Sequence, residues 1–280
     1  MKLRLKSWVK FVLFLILISS FFILFSRYIG TNGLKIKEYS IVDSKLPNNF
    51  YGLKIVQISD IHYKVTTDKK ELEKIVNEIN LLKPDIVILN GDLFNKNINY
   101  SKDDYTDLTE MLNNINCNIG KYAIKGDNDK STSNWENIMN NSNFINLNDN
   151  YEFIYSQGLD PILLIGIDSE NNIKKNINNI YNEINEKYDY SILILHKPDN
   201  ITKIDYSKFN LVLAGHSLNG QIKLPWLGGI IKPNGAKIYY EEYYELDSTK
   251  LFISGGIGTN KYKFRFNNTP SINFFRLKNK

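Results

Sequence analysis

Cysteine, histidine and net charge are all scarce in this chain. A single cysteine, Cys117, in 280 residues cannot close an intrachain disulfide. That excludes a disulfide scaffold and a cysteine-rich zinc module, and it leaves the compartment open. The formal charge is +5, and Lys2, Arg4, Lys6, Lys10 and Arg27, in an N-terminal segment without acids, account for all of it. The body from residue 31 onward is therefore neutral, so no net-basic nucleic-acid-binding surface is expected. There is no fixed-period repeat. Gly228-Gly229 and Gly255-Gly256-Ile257-Gly258 do not fit a dinucleotide-binding fingerprint and read as backbone turns. What is present is ordinary globular material, 42% hydrophobic and 23% charged, which excludes wholesale disorder.

The one long apolar run lies at the N-terminus. From Phe11 to Phe25 only Ser19 and Ser20 interrupt it; Trp8, Val9, Tyr28 and Ile29 extend it, and Lys10 and Arg27 bracket it. With those extensions it reaches the roughly 20 residues needed to cross a bilayer. It reads as an uncleaved single-pass anchor, because Ser26-Arg27-Tyr28-Ile29-Gly30 is a poor signal-peptidase site. A cleaved signal peptide and a buried core helix are the alternatives. The basic residues ahead of the run place the N-terminus in the cytoplasm and the body on the outer face of the cell membrane, although Lys35 and Lys37 oppose this. The organisation expected is an anchor over 1–30, a connector and lead-in over 31–50, and one globular domain over 51–280.

Beyond residue 50, short β-rich runs alternate with longer amphipathic stretches. Leu53–Ser59, Asp85–Asn90, Tyr122–Lys125, Ile162–Ile167, Ile192–Leu195 and Leu211–Ala214 read as buried strands. Lys69–Leu82 carries Leu72, Ile75, Val76, Ile79 and Leu82 at helical spacing and stops before Pro84, so the opening unit is strand, helix, parallel strand. Ile238–Tyr244, Leu251–Ser254 and Ile272–Leu277 read as later strands, and the Asn-rich stretch Asn171–Asn179 as a surface helix.

Polar residues end these strands in a recurrent way. Asp60 and His62 follow the first, Gly91-Asp92 the second, Gly126-Asp127-Asn128-Asp129 the third, and His196 and Gly215-His216 two later ones. Open α/β sheets place their ligands at such ends. All three histidines of the chain sit there beside carboxylates, which points to metal ligation rather than to structural histidines. Asp60 and His62, two residues apart, would project to one side of an extended backbone and share an ion. Asp92 can bridge two cations, and imidazole donors favour Mn, Fe or Zn over magnesium alone. Two ions about 3.5–4 Å apart would hold a hydroxide nucleophile and clamp a phosphoryl group.

In this order the motifs resemble those of the calcineurin-like metallophosphoesterases: Asp60-Ile61-His62 the D-x-H motif, Gly91-Asp92 the G-D motif, Gly126-Asp127-Asn128-Asp129 the G-N-H-D/E motif, His196 the isolated histidine, and Gly215-His216-Ser217-Leu218 the G-H-x-H motif. Gly220-Gln221 is similar to the end of the G-G-Q of a membrane-associated branch. The resemblance implies a four-layer α/β/β/α sandwich with a dinuclear site. Its metal ligands would be Asp60, His62, Asp92, Asp127, His196 and His216, with Asp92 and Asn128 nearest the chemistry. This chain departs from the family pattern at three positions. Asp127 replaces an asparagine ligand and keeps an oxygen donor. Asn128 replaces a histidine and cannot act as a general acid. Leu218 replaces a metal-binding histidine, so one ion is expected to bind tightly, through Asp92, Asp127, His196 and His216, and the other weakly.

The function expected is therefore a membrane-anchored, metal-dependent phosphohydrolase for phosphodiester or phosphoanhydride bonds, acting on a phosphorylated small-molecule or lipid-linked substrate. The alternative is a degenerate member that binds a metal or phosphorylated ligand without turnover. Several neighbours carry two readings. Asp129 is either a replacement acid or, preferably, a turn-capping carboxylate. Tyr63 either lines the phosphate site or packs at the strand end. Lys125 and Lys197 face the substrate or solvent. Leu224-Pro225-Trp226-Leu227 is either an exposed lipid-facing loop or core.

Overall fold

The computed structural model describes residues 6–168, 172–259 and 262–279. Lys2 and Arg4 of the basic flank and Asn171 of the Asn-rich stretch lie outside the described residues. Helix α1 (Ser7–Leu24) buries none of its residues and continues through one π-helical stretch, Phe25–Ile29. The whole helix, 23 residues long, measures about 34 Å at the usual rise per residue, long and apolar enough to cross a membrane.

The chain then enters strand β1 (Lys35–Val42) and β2 (Lys54–Ile58). Helix α2 (Lys69–Leu82) opens with a capping box between Asp68 and Glu71, buries Leu72, Ile75, Val76 and Ile79, and ends at left-handed Lys83 before Pro84. Strand β3 (Ile86–Leu89) leads to α3 (Lys102–Asn113), capped by Ser101 with Asp104, then to β4 (Gly120–Ala123) and the short α4 (Trp135–Asn141). Strands β5 (Phe144–Asn146), β6 (Asn150–Ile154) and β7 (Ile162–Ile167) precede α5 (Ile173–Glu183), the helix expected in the Asn-rich stretch. The remainder is β8 (Tyr190–Leu195), β9 (Leu211–Ala214), the hairpin β10 (Lys223–Leu224) and β11 (Gly228–Gly229), β12 (Tyr243–Leu246), β13 (Thr249–Ile253) and β14 (Ser271–Lys278).

Two six-stranded sheets form, in the orders β1-β14-β2-β3-β4-β5 and β12-β13-β9-β8-β7-β6. The first is parallel except where β14 meets β2; the second is parallel except at its two outer pairs. Apolar side chains of both inner faces, including Ile55, Ile88, Ile162, Ile194 and Phe275, make the central core. Helices α2, α3 and α4 cover the outside of the first sheet, and α5 covers the second. This is the expected α/β/β/α sandwich, preceded by one apolar helix.

Two expectations change. Lys35–Val42, read as lead-in, is an edge strand of the first sheet, held by full-length pairing to the C-terminal strand β14. Residues 238–242 do not continue as a strand, because the Asp199 carboxylate takes the backbone N–H groups of Lys237, Ile238 and Tyr239 at 2.7, 3.1 and 2.9 Å. Pairing with β13 starts only at Tyr243.

A buried polar seam joins the sheets beneath the strand ends. Gln57 of β2 donates to Asn90 Oδ1 (3.2 Å) and to the Ala214 carbonyl (2.9 Å), and it accepts from Asn273 of β14 (2.9 Å). Asn90 Nδ2 in turn donates to the carbonyls of Leu195 (3.0 Å) and Leu213 (2.8 Å) across the interface. Replacing Asn90 by Ala strands these acceptors in a dry interior and should cost about 2–4 kcal/mol of stability. Exposed Asn118→Ala should cost less than about 0.5 kcal/mol. Denaturant midpoints of the detergent-solubilised chain check both, and equal midpoints would show that the seam does not hold the sheets.

Candidate metal centre

Each functional side chain leaves a buried strand just as the chain turns. Asp60 and His62 come from the end of β2, Asp92 from β3, Asp127 and Asn128 from β4, His196 from β8 and His216 from β9. The extended geometry expected for Asp60 and His62 is not what brings them together. Both lie in the left-handed region, at φ 53° and 45°, as do Asp92 (54°) and His216 (65°). This loop instead runs beside the turn after β3: Asp60 N–H bonds the Gly91 carbonyl, and His62 N–H bonds the Asp92 carbonyl. Four strained non-glycine residues in one site mark a place where structure is held against local preference. The glycines make the crowding possible. A Cβ on Gly126 would lie 2.3 Å from Asp92 Oδ1, and one on Gly91 would lie 2.4 Å from Gly126 N.

The result is two groups of donors sharing one residue: Asp60, His62 and Asp92, and Asp92, His196 and His216, with the atoms of each group within 4.8 Å of one another. Both Asp60 and Asp92 are only 1% exposed. His62 Nε2 lies 3.9 Å from Asp60 and 3.7 Å from Asp92, and His196 Nε2 lies 3.4 Å from Asp92. Every histidine has its other face fixed. Backbone carbonyls face one ring nitrogen of each: Phe94 at His62 Nδ1 (3.2 Å), Asn90 at His196 Nδ1 (2.7 Å) and Asn234 at His216 Nε2 (2.8 Å). This is how metal-binding imidazoles are oriented from behind. His62 Nε2 is buried with no hydrogen-bond partner among the described residues. A buried, unpartnered nitrogen facing two carboxylates fits a divalent cation, and the mixed N and O donors suit Mn, Fe or Zn.

Asp92 is the most heavily engaged residue. Asn128 donates its backbone N–H to Asp92 Oδ1 (2.8 Å) and its side-chain amide to Oδ2 (2.7 Å). Burial works to raise the Asp92 pKa, but the charges of His196 and His62 and these hydrogen bonds hold it well below the usual carboxylate range. For His196, burial opposes protonation, yet the Asp92 carboxylate raises its pKa to about 10. His216 is shifted down, by burial first and then by the His196 charge.

Asp127 lies in neither group. Its carboxylate pairs with Lys197 Nζ at 2.7 Å, at the more exposed rim of the site. Asp129 is fully buried and accepts from the backbone N–H groups of Asp92 (2.7 Å), Gly126 (2.8 Å) and Phe94 (3.0 Å), the role of a turn cap. Burial, with Asp92 nearby, lifts its pKa to about 7. Leu218 is buried where a Cβ on Gly256 would meet both its Cδ2 (2.3 Å) and Asp60 Cβ (3.1 Å), so an apolar group sits beside Asp60. Asn219 is fully buried, and neither of its amide atoms has a hydrogen-bond partner among the described residues. Tyr63 packs in the core under α2 and α3.

Sequence reasoning missed two supports. One is the Asn234 carbonyl behind His216, which no residue type announces. The other is Arg265, buried in full, which donates to the carbonyls of Gly255 (2.8 Å), Asn268 (3.2 Å), Gly256 (3.0 Å) and Gly258 (2.5 Å) in the loop beside Asp60. Burial lowers its pKa to about 10, against the pull of Asp60.

A family model described as calcineurin-like phosphoesterase matches residues 53–220. The chain is 29% identical over 265 residues to the uncharacterized metallophosphoesterase YkuE of Bacillus subtilis, covering 91% of this chain and 89% of that one. It is 24% identical over 311 residues to the UDP-2,3-diacylglucosamine pyrophosphatase LpxG of Chlamydia muridarum, covering 90% and 92%. It is 25% identical over 243 residues to a transmembrane protein with metallophosphoesterase domain of Danio rerio, covering 80% of this chain and about half, 53%, of that one.

A raised His196 pKa has a direct consequence for metal uptake. With its pKa at about 10, His196 is protonated at pH 8 in the metal-free chain, and a ligand must be neutral, so binding displaces a proton. Uptake of Mn²⁺ or Zn²⁺ at pH 8 should release about one proton from this position. Apparent affinity should rise with pH and level off above about 10. Calorimetry in buffers of different ionisation enthalpy measures the release, and His196→Asn should abolish this contribution.

Proposed function

Since the chain belongs to the calcineurin-like phosphoesterases, we propose that it is a membrane-anchored, metal-dependent phosphohydrolase acting on phosphodiester or phosphoanhydride bonds. The observation that carries this reading is the pair of Asp and His groups joined at Asp92, with each imidazole fixed from behind and its other nitrogen turned inward, that of His62 unpartnered among the described residues and those of His196 and His216 facing each other at 3.2 Å. Asp60, His62, Asp92, His196 and His216 would hold the ions, with Asp127 at the rim. Divalent cations supply Lewis-acid activation of water and neutralise phosphoryl oxygens.

The chain's own residues define the rest. Asn128 holds the Asp92 carboxylate through two hydrogen bonds and has no proton to give near neutral pH. Departure of the leaving group is then unassisted at this position, which favours leaving groups of low pKa, such as aryl oxides and phosphates. Lys197, paired with Asp127 at the rim, adds a cation on the side open to an anionic substrate. The similarity to a pyrophosphatase of a diacylated nucleotide sugar supports a lipid-linked phosphoanhydride as the substrate class. The long apolar helix supports membrane attachment, and the basic residues before it favour an outward-facing body.

A second reading, ligand binding without turnover, draws on Leu218 occupying the space beside Asp60. Hydrolysis assays on the metal-loaded full chain separate the two. The unaltered protein should hydrolyse bis-aryl phosphates and pyrophosphate diesters and turn over alkyl esters very slowly. Asn128→His should help alkyl esters more than aryl ones, within the roughly 10²–10⁴-fold range of general acid assistance. Asp92→Asn, isosteric but uncharged, should reduce hydrolysis by about 10²-fold or more, the upper scale of losses around metal ligands. Folded, metal-loaded protein inert on every activated phosphate would overturn the hydrolase reading in favour of binding without turnover.

A further inference from the structure

The most exposed large apolar side chain of the body is Trp226, which projects fully into solvent at the tip of the β10–β11 hairpin. Its neighbour Leu227 is 73% exposed, and Ile230 and Ile231, just past the hairpin, are 54% and 42% exposed. Four large apolar residues within six positions form a patch with no polar purpose of its own. Trp226 also sits in the left-handed region (φ 64°), so the turn holds an indole outward at a cost in backbone energy that no packing returns.

The hairpin is fastened to the N-terminal helix through one residue. Lys223, the first residue of β10, donates its N–H to the Phe266 carbonyl (2.9 Å), and Phe266 N–H reaches the Gln221 carbonyl (3.4 Å). The Phe266 ring packs on Phe22 and Phe25 of the helix, with centroids 4.5 and 5.8 Å away. Arg265 N–H bonds the Ser26 carbonyl (2.9 Å), and a Cβ on Gly30 would collide with the Arg265 carbonyl at 1.7 Å. Phe22 lies seven residues, about 10 Å of helix rise, before Ile29 at the end of the apolar span. A body residue in contact with Phe22 therefore lies below the outer end of that span, on the acyl side of the headgroup boundary. Lys223 is paired with Glu241 (2.8 Å), but Arg27, whose guanidinium donates to the Lys263 carbonyl (3.4 Å), and Lys232, which lies over the Tyr240 ring, add positive charge near this edge, which suits an anionic lipid surface.

We propose that the hairpin tip, Trp226 and Leu227 with Ile230 and Ile231, dips into the headgroup–acyl boundary of the same bilayer that the N-terminal helix enters, holding the metal centre against the membrane. The inference rests on the reading of that helix as a membrane anchor. The link to the site is short. Gly220 of the hairpin base packs against Gly229, four residues after His216. The chain leaving Ile231 reaches Asn234, whose carbonyl fixes His216 Nε2. A docked tip thus presents this site to phosphate groups carried on lipids, while leaving soluble phosphates free to enter.

Tryptophan quenching tests it, because the chain holds only Trp8 in the helix, Trp135 buried in the core and Trp226 at the tip. The full chain is reconstituted into phosphatidylcholine–phosphatidylglycerol vesicles whose acyl chains are brominated near the headgroup. In a Trp8→Phe background, emission should be blue-shifted and quenched, and Trp226→Phe should remove the quenched component. Solvent-like, unquenched Trp226 emission would overturn the proposal. So would a Trp226 component, taken as the difference from the Trp8→Phe/Trp226→Phe double variant that keeps only buried Trp135, that is blue-shifted but unquenched, which would assign the tip to a protein contact such as a second copy. The anchor is read separately, in Trp226→Phe protein with the same lipids, brominated near the headgroup in both leaflets, because Trp8 begins the span and lies at the opposite membrane surface. Quenched Trp8 with unquenched Trp226 refutes the hairpin proposal alone, whereas unquenched Trp8 refutes the anchor on which it rests.

Discussion

Two carboxylates withdrawn from water, Asp60 and Asp92, are the constraint around which the site is arranged. An uncompensated buried anion costs several kcal/mol, so the surroundings must supply donors and positive charge. Asp60 accepts from the Ser59 hydroxyl and from His216 N–H (2.9 Å), and Asp92 accepts twice from Asn128. Those donors are in place only because the chain turns through left-handed conformations at Asp60, His62, Asp92 and His216. The turns are in turn braced by Asp129, which gathers three backbone N–H groups from two loops. The polar seam of Gln57, Asn90 and Asn273 then locks the strands from which all of this projects.

The same loops connect the site to the apolar helix. Ser26 receives a hydrogen bond from Arg265 N–H, and the Arg265 guanidinium gathers the carbonyls of Gly255, Gly256 and Gly258 next to Asp60. A fully buried arginine is expensive unless its donors are used, and this one spends four hydrogen bonds on backbone carbonyls, with the Asp60 carboxylate favouring its charged form. It acts as a strut between the helix exit and the loop beside the site, so the body's orientation relative to the helix is a property of packed backbone rather than of a flexible tether.

The layered fold was legible because parallel, doubly covered strands are near-continuous apolar runs, and Ile162–Ile167, Ile192–Leu195 and Leu211–Ala214 announce themselves that way. The edge strand Lys35–Val42 did not, because one polar face meets solvent and its pairing partner lies over 200 residues away. The site's residues were legible from the polar letters that end those strands. Their conformations were not, since nothing in Asp-Ile-His distinguishes two left-handed turns from an extended segment. Asp199 shows the same limit, because the three N–H groups it captures belong to a run whose composition is that of a strand. The exposed or buried state of Trp226 depended on a hairpin of two residues per strand, too short to leave a periodic signal.

Donor chemistry gives the proposed metal sites a different asymmetry from the one a motif count implies. Counting motif positions leaves four ligands for one ion and three for the other. With Asp127 paired to Lys197, the two groups of donors that stand together hold three residues each, Asp92 being common. The difference is then one of kind. One group holds two imidazoles and the shared carboxylate, the other two carboxylates and one imidazole beside the apolar Leu218. Nitrogen-rich sets favour Zn or Fe, and oxygen-rich sets favour harder ions such as Mn. Leu218 adds to the contrast, because it sets an apolar group rather than a fourth donor beside Asp60, and Gly256 packs closely against both. On this assignment the two halves of the centre differ in the ion they prefer more than in how many groups they offer it.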